Sequence, residues 1–365
     1  MKIAMIGLKG IPARYGGVER HVEELSAQMA AKGHDVTVYC RRYYTGQASE
    51  CRGAKLRVLP SVNTKHLDTV SHTLLALVDA LSRHFDILHI HSVGPASLAL
   101  IPRLLKPRAR LVVTVHGLDW QRRKWGALAR QCLRVGGWAA TAFPHCTIVV
   151  SRAMQEHFAR GGKRVEYIPN GVETPSPSPL DALRRFGVEA EKYVLWMGRF
   201  VPEKRVEDLI AAFRNVQTDH RLLLAGGLDE ADSYLRTLLR DAEGDSRIIF
   251  SGGLYGVERA EALSNAALVV LPSELEGFPI ALLEGMRYGR PVIASDIPEN
   301  REAIEPEVNG LVYPIRDAPA LAERLRWALA HPDEMRSLAD QAEKDAMRFD
   351  WDRIADETEA VYRHA

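Results

Sequence analysis

Short apolar runs alternate with helix-period stretches from one end of the chain to the other. In the first half "KIAMIGL", "DVTVYC", "DILHIHS", "RLVVTVHG" and "CTIVVS" read as buried strands, with helices over 18–32, 69–84 and 152–161 between them. Runs this rich in Val, Ile and Leu leave no polar face for water, so the strands belong in parallel sheets covered on both sides. After "YIPNGV" the pattern breaks at the Pro/Ser-rich "ETPSPSPLDAL", which reads as a linker. The alternation then restarts with "YVLWMGRF", "HRLLLAGG", "RIIFSGG", "ALVVLPS" and "PVIASD". The predicted fold is α/β: two doubly wound, Rossmann-like domains in tandem, 1–173 and 174–349. No short-period repeat is visible.

Composition agrees with two globular domains. The chain has 365 residues, 46% apolar and 26% charged, long for one core and natural for two. No apolar run approaches the ~20 residues that span a bilayer, and the sequence opens directly on a strand, so a cytoplasmic location is expected. Cys40, Cys51, Cys132 and Cys146 are scattered without metal-ligand spacing and read as reduced thiols. The net charge of +1 hides a division: residues 1–173 carry 25 Lys+Arg against 12 Asp+Glu, and the rest of the chain is acidic. A basic first half suits an anionic partner, although drift in surface composition gives the same count. The basic residues form no nucleic-acid-binding module.

Ligands of doubly wound sheets bind beyond the carboxyl ends of the strands, and the unusual residues fall there. Gly16 and Gly17 precede a helix whose start favours an anion. The spacing is not G-x-G-x-x-G, which argues against a dehydrogenase. Arg199 and Lys204 follow the first strand of the second half and together would neutralise a diphosphate; two solvated surface charges are the alternative. "LLLAGG" and "IIFSGG" end in paired glycines, as needed where backbone approaches a ligand.

In "SELEGFPIALLEG" (273–285), Glu276 and Glu284 stand eight positions apart. Gly277 and Pro279 predict that a helix starts only near Pro279, with Glu276 in the loop before it and Glu284 on its second turn. Between them lie the amides of a helix start, a phosphate site. The flanking carboxylates, which only accept hydrogen bonds when ionised, suit sugar and ribose hydroxyls.

This stretch resembles the E-x7-E motif of the retaining GT-B glycosyltransferases of family 4. "YGGVE", "VHG" at 115–117, "VSRAM", "IPNGV", "GRF…EK" and "AGG" follow in family order, so the resemblance covers essentially the whole chain. "GLKGIPARYGGVE" is also similar to a branch containing bacterial rhamnosyltransferases of surface polysaccharides. The resemblance implies two domains facing across a cleft, the first an acceptor domain completed by 350–365 and the second a donor domain. It implies a UDP-, GDP- or dTDP-sugar as donor substrate, no metal or other cofactor, and a glycan or polyprenyl-diphosphate-linked acceptor. Arg199 and Lys204 would hold the donor diphosphate, and Glu276, Gly277 and Phe278 would line the donor site. Glu276 would face the transferred sugar, Glu284 the ribose, and His116 the sugar ring, with Gly16 and Gly17 against the phosphates. Anomeric configuration would be retained without a protein nucleophile. One departure is Pro279, where many relatives have glycine; proline offers no amide to a phosphate.

Other constellations have plainer readings. Asp350-Trp351-Asp352 looks like a metal-binding D-x-D but opens the final helix, where Asp is a natural cap. His89 and His91 share one side of a strand; the sequence offers no third ligand beside them, so packing is expected rather than zinc, and His21 and His116 are better site candidates. In "WQRRKWGALARQCLRVGGWAATAF" (120–143), Trp120, Arg122, Arg123, Lys124 and Trp125 lead a basic, aromatic stretch that continues through Arg130, Arg134 and Trp138. This predicts a helix at an anionic membrane surface, with a half-buried helix as the plain alternative. Rival functions are a sugar-nucleotide epimerase or phosphorylase, a glycoside hydrolase, which leaves Arg199 and Lys204 without a task, and a non-catalytic sugar-binding protein.

Overall fold

In the computed structural model the apolar runs are the strands of two parallel sheets, and most of their central residues are buried, the edge strand Ile248–Gly252 being half-buried throughout. The structure describes residues 1–14, 16–64, 67–122, 125–159, 164–228 and 233–364. The chain divides into two compact units, Met1–Gly171 with Trp351–Ala365, and Val172–Asp350.

The first unit holds β1 (Lys2–Ile6), β2 (Asp35–Arg41), β3 (Glu50–Cys51), β4 (Ala54–Leu59), β5 (Ile87–His91), β6 (Arg110–Val115), β7 (Cys146–Val149) and β8 (Val165–Tyr167). They form one sheet in the order β3-β4-β2-β1-β5-β6-β7-β8, parallel except for the β3–β4 hairpin. The order reverses between β1 and β5, which makes their carboxyl ends the switch point where ligands of such sheets bind.

β3, β4 and β8 add to the strands the apolar runs predicted. β4 alternates buried and exposed side chains from Ala54 to Arg57, as an amphipathic strand near a sheet edge does, and β8 is three half-buried residues. The helices Gly17–Ala31 and Trp351–His364 pack together and share one core with the sheet, in which Met5, Val22, Leu25, Ile354 and Tyr362 are buried. Trp351 seats on Gly171, where a Cβ would collide with the indole. The pairs Lys32–Asp356 (2.5 Å) and His34–Glu359 (3.0 Å) rim this contact.

The second unit holds β9 (Tyr193–Met197), β10 (Arg221–Ala225), β11 (Ile248–Gly252), β12 (Leu268–Leu271), β13 (Val292–Ser295) and β14 (Leu311–Tyr313). They run parallel in the order β11-β10-β9-β12-β13-β14, and the order reverses between β9 and β12. Its core centres on Trp196, Leu209, Phe213, Leu224 and Val270. The indole of Trp196 lies 5.0 Å from the ring of Phe200, which fixes the loop leaving β9 against the core.

Candidate active site

In the second unit the loops leaving β9 and β12 are tied together at the switch point. The β9 loop runs through Gly198 and Arg199 into a single 3-10 turn, Pro202–Lys204. Its end is locked by Arg205, a left-handed residue (φ 51°) whose guanidinium grips Asp208 at 2.9 and 2.7 Å. The Glu274 amide of the β12 loop donates to the Glu203 carbonyl at 2.9 Å. Two residues on, Lys204 Nζ donates to Glu276 Oε1 at 2.5 Å. Both side chains are largely shielded, 19% and 9% exposed, so a mobile surface pair does not describe them. Lys204 thus stands beside the first glutamate of the motif. Arg199 is exposed at the same strand end.

The helix after the motif runs Ile280–Arg287, with Pro279 as its N-cap residue rather than its first helical one. Glu276 lies in the loop and Glu284 on the helix, as the Gly-Phe-Pro break predicts. The two carboxylates have separate partners. Glu284 is buried and pairs with Arg259, a residue of the Val257–Ser264 helix that the sequence did not single out. Nothing in "GVERAEALS" distinguishes Arg259 from a solvated helix charge; only the fold brings it to Glu284. The ring of Phe278 is buried 5.3 Å from Phe349, so its side chain belongs to the core and its backbone alone faces the loop.

The paired glycines divide in the same way. A Cβ at Gly226 would collide with the Gly198 carbonyl and the Phe200 ring, a packing requirement, whereas Gly227 faces open space.

In the first unit the loop after β1 leads to Gly16 (φ 103°), the N-cap of the helix Gly17–Ala31. The Glu19 carboxylate folds back to accept from the Lys9 amide at 3.1 Å and stands where a Cβ of Gly16 would be. A phosphate reaching Gly16 has to displace an anion.

Four imidazoles gather at the ends of β5 and β6. His89 bonds Tyr362 and Thr114, both at 2.7 Å, and its ring lies 4.1 Å from His91. His91 Nδ1 lies 3.1 Å from His116 Nε2, and the His21 ring packs 4.6 Å from His116. His21 Nδ1 meets Asn170 Oδ1 at 2.9 Å. His21, His89 and His91 are buried; His116 is the member that reaches the surface.

Burial holds all four uncharged. It pushes His21 down to about 4 against the opposing bond to Asn170, and His89 down to about 3. His91 and His116 are held well below the usual imidazole range by burial first and by the neighbouring rings second.

The reading that no third imidazole stands near the "HIHS" pair is overturned. The ring nitrogens of His21, His91 and His116 lie within 4.8 Å of one another, a donor set that zinc accepts. The sequence hid this because the ligands come from a helix, a strand and a loop 25 or more residues apart.

The stretch 120–125 is partly described. Trp120 is half-buried, its ring lying against Gly137 and 5.9 Å from His157, and Arg122 pairs with Asp119 at 3.0 Å. Trp125 is half-buried as well, and Arg123 and Lys124 lie outside the described residues. Asp350 precedes the last helix, which begins at the buried Trp351.

Comparison with known proteins bears on both units. The profile of Glycosyltransferase Family 4 matches residues 15–176, and that of Glycosyl transferases group 1 matches 184–345. The chain thus joins a Glycosyltransferase Family 4 domain to a Glycosyl transferases group 1 domain. This glycosyltransferase is 28% identical to the glycogen synthase of Mycobacterium tuberculosis, over 99% of its own length and 94% of the relative's. It is 28% identical to the phosphatidyl-myo-inositol mannosyltransferase of Mycobacterium leprae, over 95% and 92%. Among solved structures, sucrose-phosphate synthase from Thermosynechococcus elongatus matches with a TM-score of 0.86 at 24% identity, covering 100% of this chain and 98% of that one. HepE of Anabaena, solved with UDP-glucose, matches with a TM-score of 0.83 at 21% identity and full coverage of both chains. The GT-B fold implied by the motifs is the fold of these neighbours. Among the described residues no helix is long and apolar enough to cross a membrane.

Proposed function

We propose that this glycosyltransferase transfers a sugar from a UDP-, GDP- or dTDP-sugar to a glycan or polyprenyl-diphosphate-linked acceptor of bacterial surface polysaccharide, with retention of anomeric configuration. The observation that carries the reading is the shielded Lys204–Glu276 pair at the β9/β12 switch point. There a cation for a diphosphate and an acceptor for sugar hydroxyls are held in contact before any ligand arrives. HepE, with the same fold, is solved with UDP-glucose, which supports a nucleotide-sugar donor.

In this reading Lys204 and Arg199 neutralise the charge that builds on the leaving diphosphate. Glu276 accepts from the sugar and steadies its developing positive charge. Glu284 accepts from the ribose, exchanging part of its bond to Arg259. The leaving phosphate takes the acceptor's proton, so no protein nucleophile is required, and Lys204 supplies the positive charge that a metal provides elsewhere. The basic balance of the first unit supports an anionic acceptor.

The test is a panel of nucleotide sugars scored by thermal shift and donor hydrolysis, with the product anomer read by NMR and activity repeated in chelator. Stabilisation by one donor, an unchanged anomeric configuration and full activity in chelator are expected. An inverted product or a chelator-sensitive rate would sink the retaining, metal-free reading.

A further inference from the structure

The helix Ala127–Ala142 of the first unit is packed inside out. Its buried residues are Gly136, Gly137, Ala139 and Ala140, while Leu128, Val135 and Trp138 are 82%, 49% and 61% exposed. The small residues are inward for a steric reason: a Cβ at Gly136 would strike the Val93 carbonyl, and one at Gly137 the Trp120 ring. Close approach therefore uses the small face and turns the large apolar face to solvent. Leu128, Val135 and Trp138 follow helical spacing and form one stripe, rimmed by the exposed Arg130 and Arg134.

The neighbouring helices extend this face. Val93–Ala96 packs against Ala127–Ala142 on one side and Asp68–Leu81 on the other, and Asp68–Leu81 also meets Leu100–Leu105. The Asp68–Leu81 helix buries His72, Ala76, Leu77 and Ala80, yet Val70, Leu74 and Val78 are exposed at successive turns of its other side. Leu104 and Leu105 are 67% and 69% exposed. A helix apolar on both sides normally lies between two layers, and outward apolar residues on helices packed in succession mark an interaction surface.

The charges decide what covers it. Between Asp68 and Gln155, the span that carries these helices, the sequence has eleven Lys and Arg against four Asp, of which Asp68, Asp79 and Asp119 pair with arginines. Arg103, Arg108, Arg130 and Arg134 are exposed. Outward leucines, valines and a tryptophan among arginines match lipid tails beneath anionic headgroups. A nucleic acid has no use for the apolar stripes.

We propose that this helical face docks on the surface of an anionic lipid bilayer, with Leu128, Val135 and Trp138 entering the headgroup layer and Arg130 and Arg134 on the lipid phosphates. The inference goes beyond the transfer reading and stands without it, because vesicle binding is measured with neither donor nor acceptor present.

The experiment is flotation of the full chain with phosphatidylcholine vesicles, with and without phosphatidylglycerol, at low and high salt. Binding to the anionic vesicles only is expected, weakened roughly tenfold by salt. Leu128→Glu with Trp138→Glu, and separately Leu74→Glu with Val78→Glu, should each abolish flotation while leaving the circular-dichroism melt unchanged. Should a variant misfold, quenching of the wild-type tryptophans by brominated lipid replaces it, and quenching is expected in anionic vesicles. No binding to anionic vesicles, binding untouched in both well-folded pairs, or absent quenching overturns the proposal. So does light scattering that shows a dimer split by the Trp138→Glu pair, because a second copy would then cover this face.

Discussion

Lys204 Nζ lies 2.5 Å from Glu276 Oε1, and this contact joins the two loops that leave the sheet at its point of reversal. An ammonium and a carboxylate held together with little water around them form a preset charge pair. A diphosphate approaching Lys204 and a sugar approaching Glu276 then compete with a bond already made. Lys204→Ala is expected to lower kcat about 100-fold or more with a smaller change in donor KM. Lys204→Ala, Glu276→Gln and the double variant should show a coupling above about 1 kcal/mol in steady-state kinetics; additive effects would place the two residues in independent roles.

Glu284 and Arg259 test the other carboxylate. Glu284→Ala should raise donor KM with kcat nearly intact, since a ribose contact is made equally in ground and transition states. Arg259→Ala leaves a buried carboxylate without its guanidinium and is expected to cost about 2 kcal/mol. Differential scanning calorimetry should then show the transition of the second unit lowered by roughly 5 °C. A loss of kcat in Glu284→Ala instead would move that residue to the reacting sugar.

Acid should open the first unit before the second. Burial lowers His21 and His72 to about 4 and His89 to about 3, all in the first unit, whereas His220 is the one histidine of the second unit with a resolved lowering. A depressed folded pKa contributes stability above the unfolded value near 6.5 that is lost as pH falls toward the folded value. Limited proteolysis between neutral and pH ~4 should therefore cut the first unit preferentially. His89→Gln keeps partners for Tyr362 and Thr114 without a group to protonate, and should shift the acid midpoint downward.

Gly171 tests the seat of the last helix. A Cβ there collides with the Trp351 indole, so Gly171→Ala should cost about 1–3 kcal/mol and expose the Trp351–His364 helix to protease. An unchanged melt and cleavage pattern would show that the helix has room to shift.

How legible this was depended on whether a residue's role is set by its neighbours in sequence or in space. The central strands were visible because burial on both faces leaves an unbroken apolar run, as in "RLVVTV" and "YVLWM". β4 and β8 were not, since β4 alternates buried and exposed positions and β8 is only three half-buried residues, so neither leaves an unbroken apolar run. The helix break before Ile280 was readable from Gly277 and Pro279, because turn chemistry is local. Arg259 beside Glu284 and the approach of His21 to His91 and His116 depend on chain folding over 25 or more residues. In the stretch 120–143 charge and aromaticity say which residues can meet a membrane, but only packing says that Trp120 lies against Gly137 while Trp138 is exposed.

The helix that completes the first unit has a consequence for synthesis. Tyr362, whose hydroxyl reaches His89, is made after the whole of Val172–Asp350. At ribosomal speeds of about 5–20 residues per second, the second unit can fold while the first waits on the order of 10–35 s for its last helix. During that interval the groove left beside Met5, Val22 and Leu25 lies open to chaperones, so the earlier-made unit is the later one to finish.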